Sequence, residues 1–132
     1  MHDVSFCFIL IERDCFIARD LREGLSEACP DSVFRCLGDL NDLPGIETGL
    51  AGVDQFPVVI TKASLAELTA SGVAGLVRRN GWAMAVRMGI DPLSAVHAEG
   101  WLSLAAPFSR EDLVYLAEQL RARYPQPFRR IA

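Results

Sequence analysis

The stretch "QFPVVITKASLAEL", Gln55 to Leu68, decides the fold. Phe56 to Thr61 is apolar at consecutive rather than alternate positions, the pattern of a strand buried on both faces of a parallel sheet. Ser64 follows, with Glu67 three residues later. That spacing is a capping box, in which each side chain satisfies a backbone N–H of the other residue. A strand therefore ends and a helix begins within a few residues, which is one βα unit. Lys62 stands at the junction. It is the only lysine in the chain; the twelve other basic residues are all arginine.

The same grammar repeats on both sides. "SFCFILI" at 5–11 reads as another doubly buried strand. Cys15 to Ala28 places Phe16, Ile17, Leu21, Leu25 and Ala28 at helical spacing, with charges between them. Pro30 stops that helix, and Val33 to Leu37 is a short second strand. "GDLNDLPGIETGLAGVD" from Gly38 is irregular, with a short helix expected near 49–53. The capped helix beginning at Ser64 is expected to run unbroken to Asn80, with Gly81 as its left-handed stop. Trp82 to Met88 is a fourth strand. Asp91 is the expected cap, and Pro92 the first position, of a short helix reaching Glu99. Trp101 to Ala105 is a fifth strand. Ser109 caps a last helix whose buried stripe is Leu113, Leu116, Ala117 and Leu120. Trp82 and Trp101 are expected to be buried.

Strands alternating with helices imply an α/β protein with helices on both faces of its sheet. The expected architecture is a flavodoxin-like, doubly wound, five-stranded parallel sheet of order 2-1-3-4-5. Residues 1–124 are expected to form a single domain, with 125–132 as a short tail. In such sheets the functional crevice lies beyond the carboxyl ends of the strands. Those ends carry Glu12, Arg13, Asp14 and Lys62.

Composition narrows the function. With 132 residues, 51% hydrophobic and 23% charged, the chain can bury a sizeable core. A formal net charge of −4 argues against an electrostatic nucleic-acid surface or an anionic membrane. No apolar run is long enough to span a bilayer. Asp3, Glu12 and Arg13 do not suit a signal peptide, so the expected compartment is the cytoplasm. Cys7, Cys15, Cys29 and Cys36 form no C-x-x-C pair and lie far from His2 and His97, so no metal is expected, and the cysteines read as small buried hydrophobes. Cys7 with Arg13 and Cys29 with Arg35 share a C-x5-R spacing, but neither has the anion-binding helix start that phosphatase chemistry needs. The basic clusters, Arg78-Arg79 and the arginines at 121, 123, 129 and 130, read as solvated helix ends or as a docking surface for an acidic partner.

Three segments carry a resemblance: "FILIERDCFIARDLREGLSEA" from Phe8, "FPVVITKASL" from Phe56, and "APFSREDLVYLAEQL" from Ala106, of which "PFSREDL" is the most specific. They resemble the receiver domain of bacterial two-component response regulators. The resemblance implies phosphoryl transfer from a histidine kinase to an aspartate. An acid pair after the first strand would hold magnesium, and the acceptor aspartate would follow the third. A Thr or Ser after the fourth strand and a lysine after the fifth would hold the phosphoryl oxygens. In this sequence Glu12 keeps the first acid, but Arg13 replaces the second, with Asp14 one position away. Lys62 stands at the acceptor position. Met88, or Arg87 if the register shifts by one, takes the Thr/Ser position, Ala106 replaces the lysine, and Ser103 lies near the switch aromatic.

A lysine cannot form an acyl phosphate, and Arg13 and Lys62 together would repel a divalent cation by several kcal/mol at short range. The expectation is a degenerate receiver-like module without catalysis or cofactor, acting through a protein partner such as a kinase or an output protein, or as a homodimer. The alternative is an anion or small-ligand sensor using Arg13, Lys62 and Arg87. Three readings of Lys62 stay open: a solvated charge whose stem covers apolar surface, an ion pair with Glu12 or Asp14 filling the degenerate pocket, and a reactive amine.

Overall fold

The computed structural model describes residues 5–50 and 54–124. Strands β1 (Phe6–Ile11), β2 (Val33–Leu37), β3 (Phe56–Thr61), β4 (Ala83–Arg87) and β5 (Leu102–Leu104) form one sheet of order β2-β1-β3-β4-β5. Every neighbouring pair is parallel. The α/β, flavodoxin-like architecture is the one the alternation of strands and helices predicts.

Helices α1 (Cys15–Ala28) and α6 (Arg110–Arg123) lie on one face, and α2 (Leu43–Leu50), α3 (Leu65–Ala70), α4 (Val73–Asn80) and α5 (Leu93–Ala98) belong to the other. Strand alternation divides the core accordingly. Phe6, Phe8 and Leu10 of β1 and Val58 and Ile60 of β3 pack with Leu21, Leu25, Leu113 and Leu116. Cys7, Ile9, Val59 and Met84 pack with Leu43, Leu68, Leu76 and Val96 on the opposite side. Each such fully buried side chain contributes about 1.5–3 kcal/mol before chain entropy is subtracted. Trp82 and Trp101 are buried, as expected.

Four details differ from the sequence reading. The helix expected from Ser64 to Asn80 is two helices, broken at Gly72, whose φ of +84° lies in the left-handed region. Helical periodicity survives such a break, so the sequence pattern hides it. The helix expected near 49–53 instead occupies Leu43–Leu50, preceded by a 3-10 turn at Leu40–Asp42 that Asp39 caps through the Asn41 N–H; residues 51–53 and the tail 125–132 lie outside the described residues. Asp91 does not cap its own helix, whose N-cap is Pro92. Its carboxylate accepts the Leu65 N–H at 2.7 Å and so caps α3 across the sheet end. Cys7 and Cys29 are buried, but Cys15 and Cys36 are exposed, because β2 is an edge strand and Cys15 opens α1. Burial raises the Cys7 and Cys29 thiol pKa values, partly opposed by Arg35 and by Arg121 with Ser32 respectively.

The capping boxes Ser64/Glu67 and Ser109/Asp112 both form. Helix α1 packs on α6 at Gly24, where an added β-carbon would collide with the buried Leu113 side chain. Gly75, on the exposed side of α4, meets nothing. Glycine-to-alanine substitution should therefore act in opposite directions at the two sites. Gly75→Ala should stabilise by about 0.5–1 kcal/mol through helix propensity. Gly24→Ala should destabilise by about 1–3 kcal/mol through overpacking. Urea denaturation of the two variants measures both signs.

Candidate functional site

The carboxyl ends of β1, β3 and β4 bring Glu12, Lys62 and Arg87 side by side. Ile11 pairs with Thr61 and Thr61 with Val86, so the next residue of each strand stands at one level. Glu12 and Arg87 meet across the width of β3: Arg87 Nη1 donates to Glu12 Oε1 at 2.6 Å. Two strand spacings are roughly 10 Å, a span that needs two long side chains. The pair is well shielded, with 6% of the Arg87 side chain and 16% of the Glu12 side chain exposed. The Asp14 N–H donates to the other carboxylate oxygen, Oε2, at 3.0 Å. The Arg87 guanidinium also lies over the Phe108 ring, 5.7 Å from its centroid. Arg87 Nε is buried without a hydrogen-bond partner among the described residues.

Of the three open readings of Lys62, the structure does not show the ion pair with Glu12 or Asp14. Glu12 is taken by Arg87. Asp14 is taken by α1, whose Phe16 and Ile17 N–H groups its carboxylate accepts at 2.9 and 3.4 Å. Lys62 is exposed and makes no ion pair among the described residues. Its stem lies over the β4–α5 turn, where a β-carbon on Gly89 would stand 3.4 Å from Lys62 Cε. Gly89, at φ +146°, supplies both the backbone geometry and the room.

Met88 and Arg87, the two residues offered for the position after the fourth strand, are placed differently. Arg87 faces Glu12, whereas the Met88 side chain packs with the core beneath α2–α5, because successive strand residues point to opposite faces. Arg13 reaches to the β2–α2 loop. It donates to the Gly38 carbonyl through Nε at 3.1 Å and to Asp39 through Nη2 at 2.8 Å. The Asn41 N–H and the Arg13 guanidinium together hold the Asp39 carboxyl below its usual range. Ala106 follows β5 and presents a methyl group; its bond to Pro107 is cis. Ser103 Oγ lies 3.1 Å from His97 Nε2, away from the strand-end cluster.

A depression of about 700 Å³ opens beside these groups. Glu12, Arg13 and Lys62 line it, joined by Asp39, Asn41, Glu67 and Ser71 from the neighbouring loops and helix; Asp14 and Arg87 do not. The three basic groups expected to converge are thus reduced to two. The residues do not fit a magnesium ion: Glu12 is engaged by a guanidinium, Asp14 by helix N–H groups, and two cations stand beside them. No cluster of three or more His, Cys, Asp or Glu side chains able to hold a metal occurs among the described residues.

Sequence reasoning missed the Glu12–Arg87 pair and the role of Asp39. A signal existed for the first. Arg87 closes the buried run "AMAVR", and a charge inside such a run needs a partner. Nothing local identified Glu12 as that partner, 75 residues away.

No protein-family model matches the chain, and no curated protein matches it in sequence. Solved structures do match in shape. A protein of Burkholderia pseudomallei K96243, provisionally described as pilus assembly-related, superposes with a TM-score of 0.65 at 16% identity, covering 91% of this chain and 90% of its own. A protein of Burkholderia thailandensis E264, provisionally described as the pilus assembly protein CpaE, gives a TM-score of 0.63 at 16% identity, covering 93% and 99%. Identity at that level carries the fold alone. The chain has the flavodoxin-like, receiver-like fold. No helix among the described residues is long and apolar enough to cross a membrane.

Two measurements test the electrostatics. Arg87→Met leaves Glu12 shielded with only one N–H partner and should cost about 3 kcal/mol, at the lower end for a buried pair because Glu12 keeps some solvent contact. Adding Glu12→Gln should recover at least half of that loss in a double-mutant cycle. The second concerns acid stability. Backbone and hydroxyl hydrogen bonds from Ser64 lower the pKa of Glu67, as the Asn41 N–H and Arg13 lower that of Asp39. Both groups bind protons less readily when folded. Their contribution is complete above their ordinary values, 4.5 and 3.8, and is lost as pH falls through the lower folded values. Melting temperature should therefore fall below about pH 4.5, and less steeply in Glu67→Gln.

Proposed function

We propose that the chain is a degenerate receiver-like signalling module that acts through protein contact, without aspartyl phosphorylation and without catalysis. The observation that carries this reading is the engagement of Glu12. Both oxygens of the one acid that keeps its place in the receiver pattern are already satisfied, by Arg87 and by the Asp14 N–H. An internal guanidinium thus occupies the carboxylate that a metal would need. Lys62 at the acceptor position and Ala106 at the lysine position support the same reading, since neither can serve phosphoryl transfer.

A module of this kind works from its surface, in the cytoplasm, on a kinase, an output protein or a second copy of itself. The face of α5, β5 and α6 suits contact: Leu93, Val114 and Tyr115 are large apolar side chains exposed there. The two Burkholderia proteins of the same fold are described in terms of pilus assembly, which makes that machinery a place to seek the partner.

Incubation with acetyl phosphate and magnesium, followed by intact-mass measurement, tests the proposal. Neither the native chain nor Lys62→Asp should gain a phosphoryl group. Restoring the acceptor alone leaves Glu12 held by Arg87 and leaves Arg13 at the second acid position. Stoichiometric phosphorylation of the native chain would sink the reading.

A further inference from the structure

The depression beside Lys62 has a use that protein contact on the outer faces does not require. Its walls come from the carboxyl ends of β1 and β3 and from the segments that follow β1, β2 and β3. That is where the strand order reverses, since β2 and β3 flank β1 on opposite sides. Open α/β sheets bind ligands at such a reversal. A volume of about 700 Å³ suits a small organic molecule and far exceeds a bare inorganic anion.

The charges define the chemistry. Each acid on the walls is already engaged: Glu12 by Arg87, Asp39 by Arg13 and the Asn41 N–H, and Glu67 by the Ser64 N–H. The Lys62 ammonium has no ion-pair partner among the described residues, and its flexible stem rests on the Gly89 turn. Arg13 is anchored through Nε and Nη2, which fixes the plane of its guanidinium and leaves Nη1 for another acceptor. A point charge and a planar fork on two walls of one depression match a dianionic phosphoryl group better than a singly charged carboxylate. Asn41, Glu67 and Ser71 offer hydrogen-bonding groups to the rest of a ligand.

We propose that this depression binds, non-covalently, a small phosphate monoester of nucleoside-monophosphate size. Its phosphoryl group lies between Lys62 and Arg13, and its hydroxyl or amino groups face Asn41, Glu67 and Ser71. The attraction is partly solvent-exposed, so binding weakens as salt rises.

Amide chemical-shift titration of the full chain tests this with AMP, ribose 5-phosphate, inorganic phosphate and adenosine as probes. The expected result is saturable shifts around 12–13, 38–41 and 62–71 with at least one of the two esters, at a dissociation constant below about 1 mM. Inorganic phosphate and adenosine should each bind at least tenfold more weakly than that ester. Lys62→Gln should weaken the ester at least tenfold, the scale of a lost charged hydrogen bond. Its spectrum should otherwise be unchanged, because Lys62 is exposed and makes no ion pair among the described residues. Failure of both esters to saturate, inorganic phosphate or adenosine binding as tightly as the ester, or undiminished affinity in Lys62→Gln would each overturn the proposal. The phosphorylation test reads a covalent adduct, so a negative titration leaves its outcome intact.

Discussion

The ion pair between Glu12 and Arg87 is the constraint around which the functional end of the sheet is arranged. It joins the first and fourth strands over the end of the third, and both partners are shielded from water. A shielded charge without its partner is strongly destabilising, so neither side chain can leave without a replacement. Length matters as much as charge. Glutamate and arginine together reach across two strand spacings, and Phe108 closes over the guanidinium from the α6 side.

The other charges at these strand ends have separate partners. Asp14, which lies close to the cluster in sequence, spends its carboxylate on the first turn of α1. Arg13 reaches to Asp39 on the loop after β2. Asp91 leaves its own helix uncapped and closes the start of α3, tying the β4–α5 turn to the end of β3. Lys62 is left as the cation without an ion-pair partner among the described lining residues. Its isolation follows from how completely the neighbouring acids are satisfied, and not from distance along the chain. In the reading proposed above, internal pairs do the electrostatic work that a metal and a phosphoryl group do in a receiver that is phosphorylated.

Much of the fold was legible because its signals are local. The apolar runs at 6–11 and 56–61 announce doubly buried strands. The bounds of α1 follow from its apolar stripe and Pro30, and Ser64 with Glu67 marks a helix start within four residues. The misreadings arose where a local rule had two outcomes. Periodicity continues through Gly72 although the backbone does not. Asp91 has a cap's chemistry, but its carboxylate serves a different helix. Met88 and Arg87 are adjacent in sequence, and only the pleat decides which of them faces Glu12.

The sequence by itself determined the strand–helix alternation, the parallel sheet that follows from it, and the presence of a lone lysine at the end of the third strand. Hydrophobic period and capping chemistry act over a few residues, and a single chain displays them openly. Tertiary structure alone decided which charges meet. Glu12 finds Arg87 across 75 residues and one intervening strand, and Lys62 is left without an ion-pair partner among the described residues. Coulomb attraction and desolvation depend on distance in space and on shielding from water, and both are set only once the sheet has brought its strand ends together.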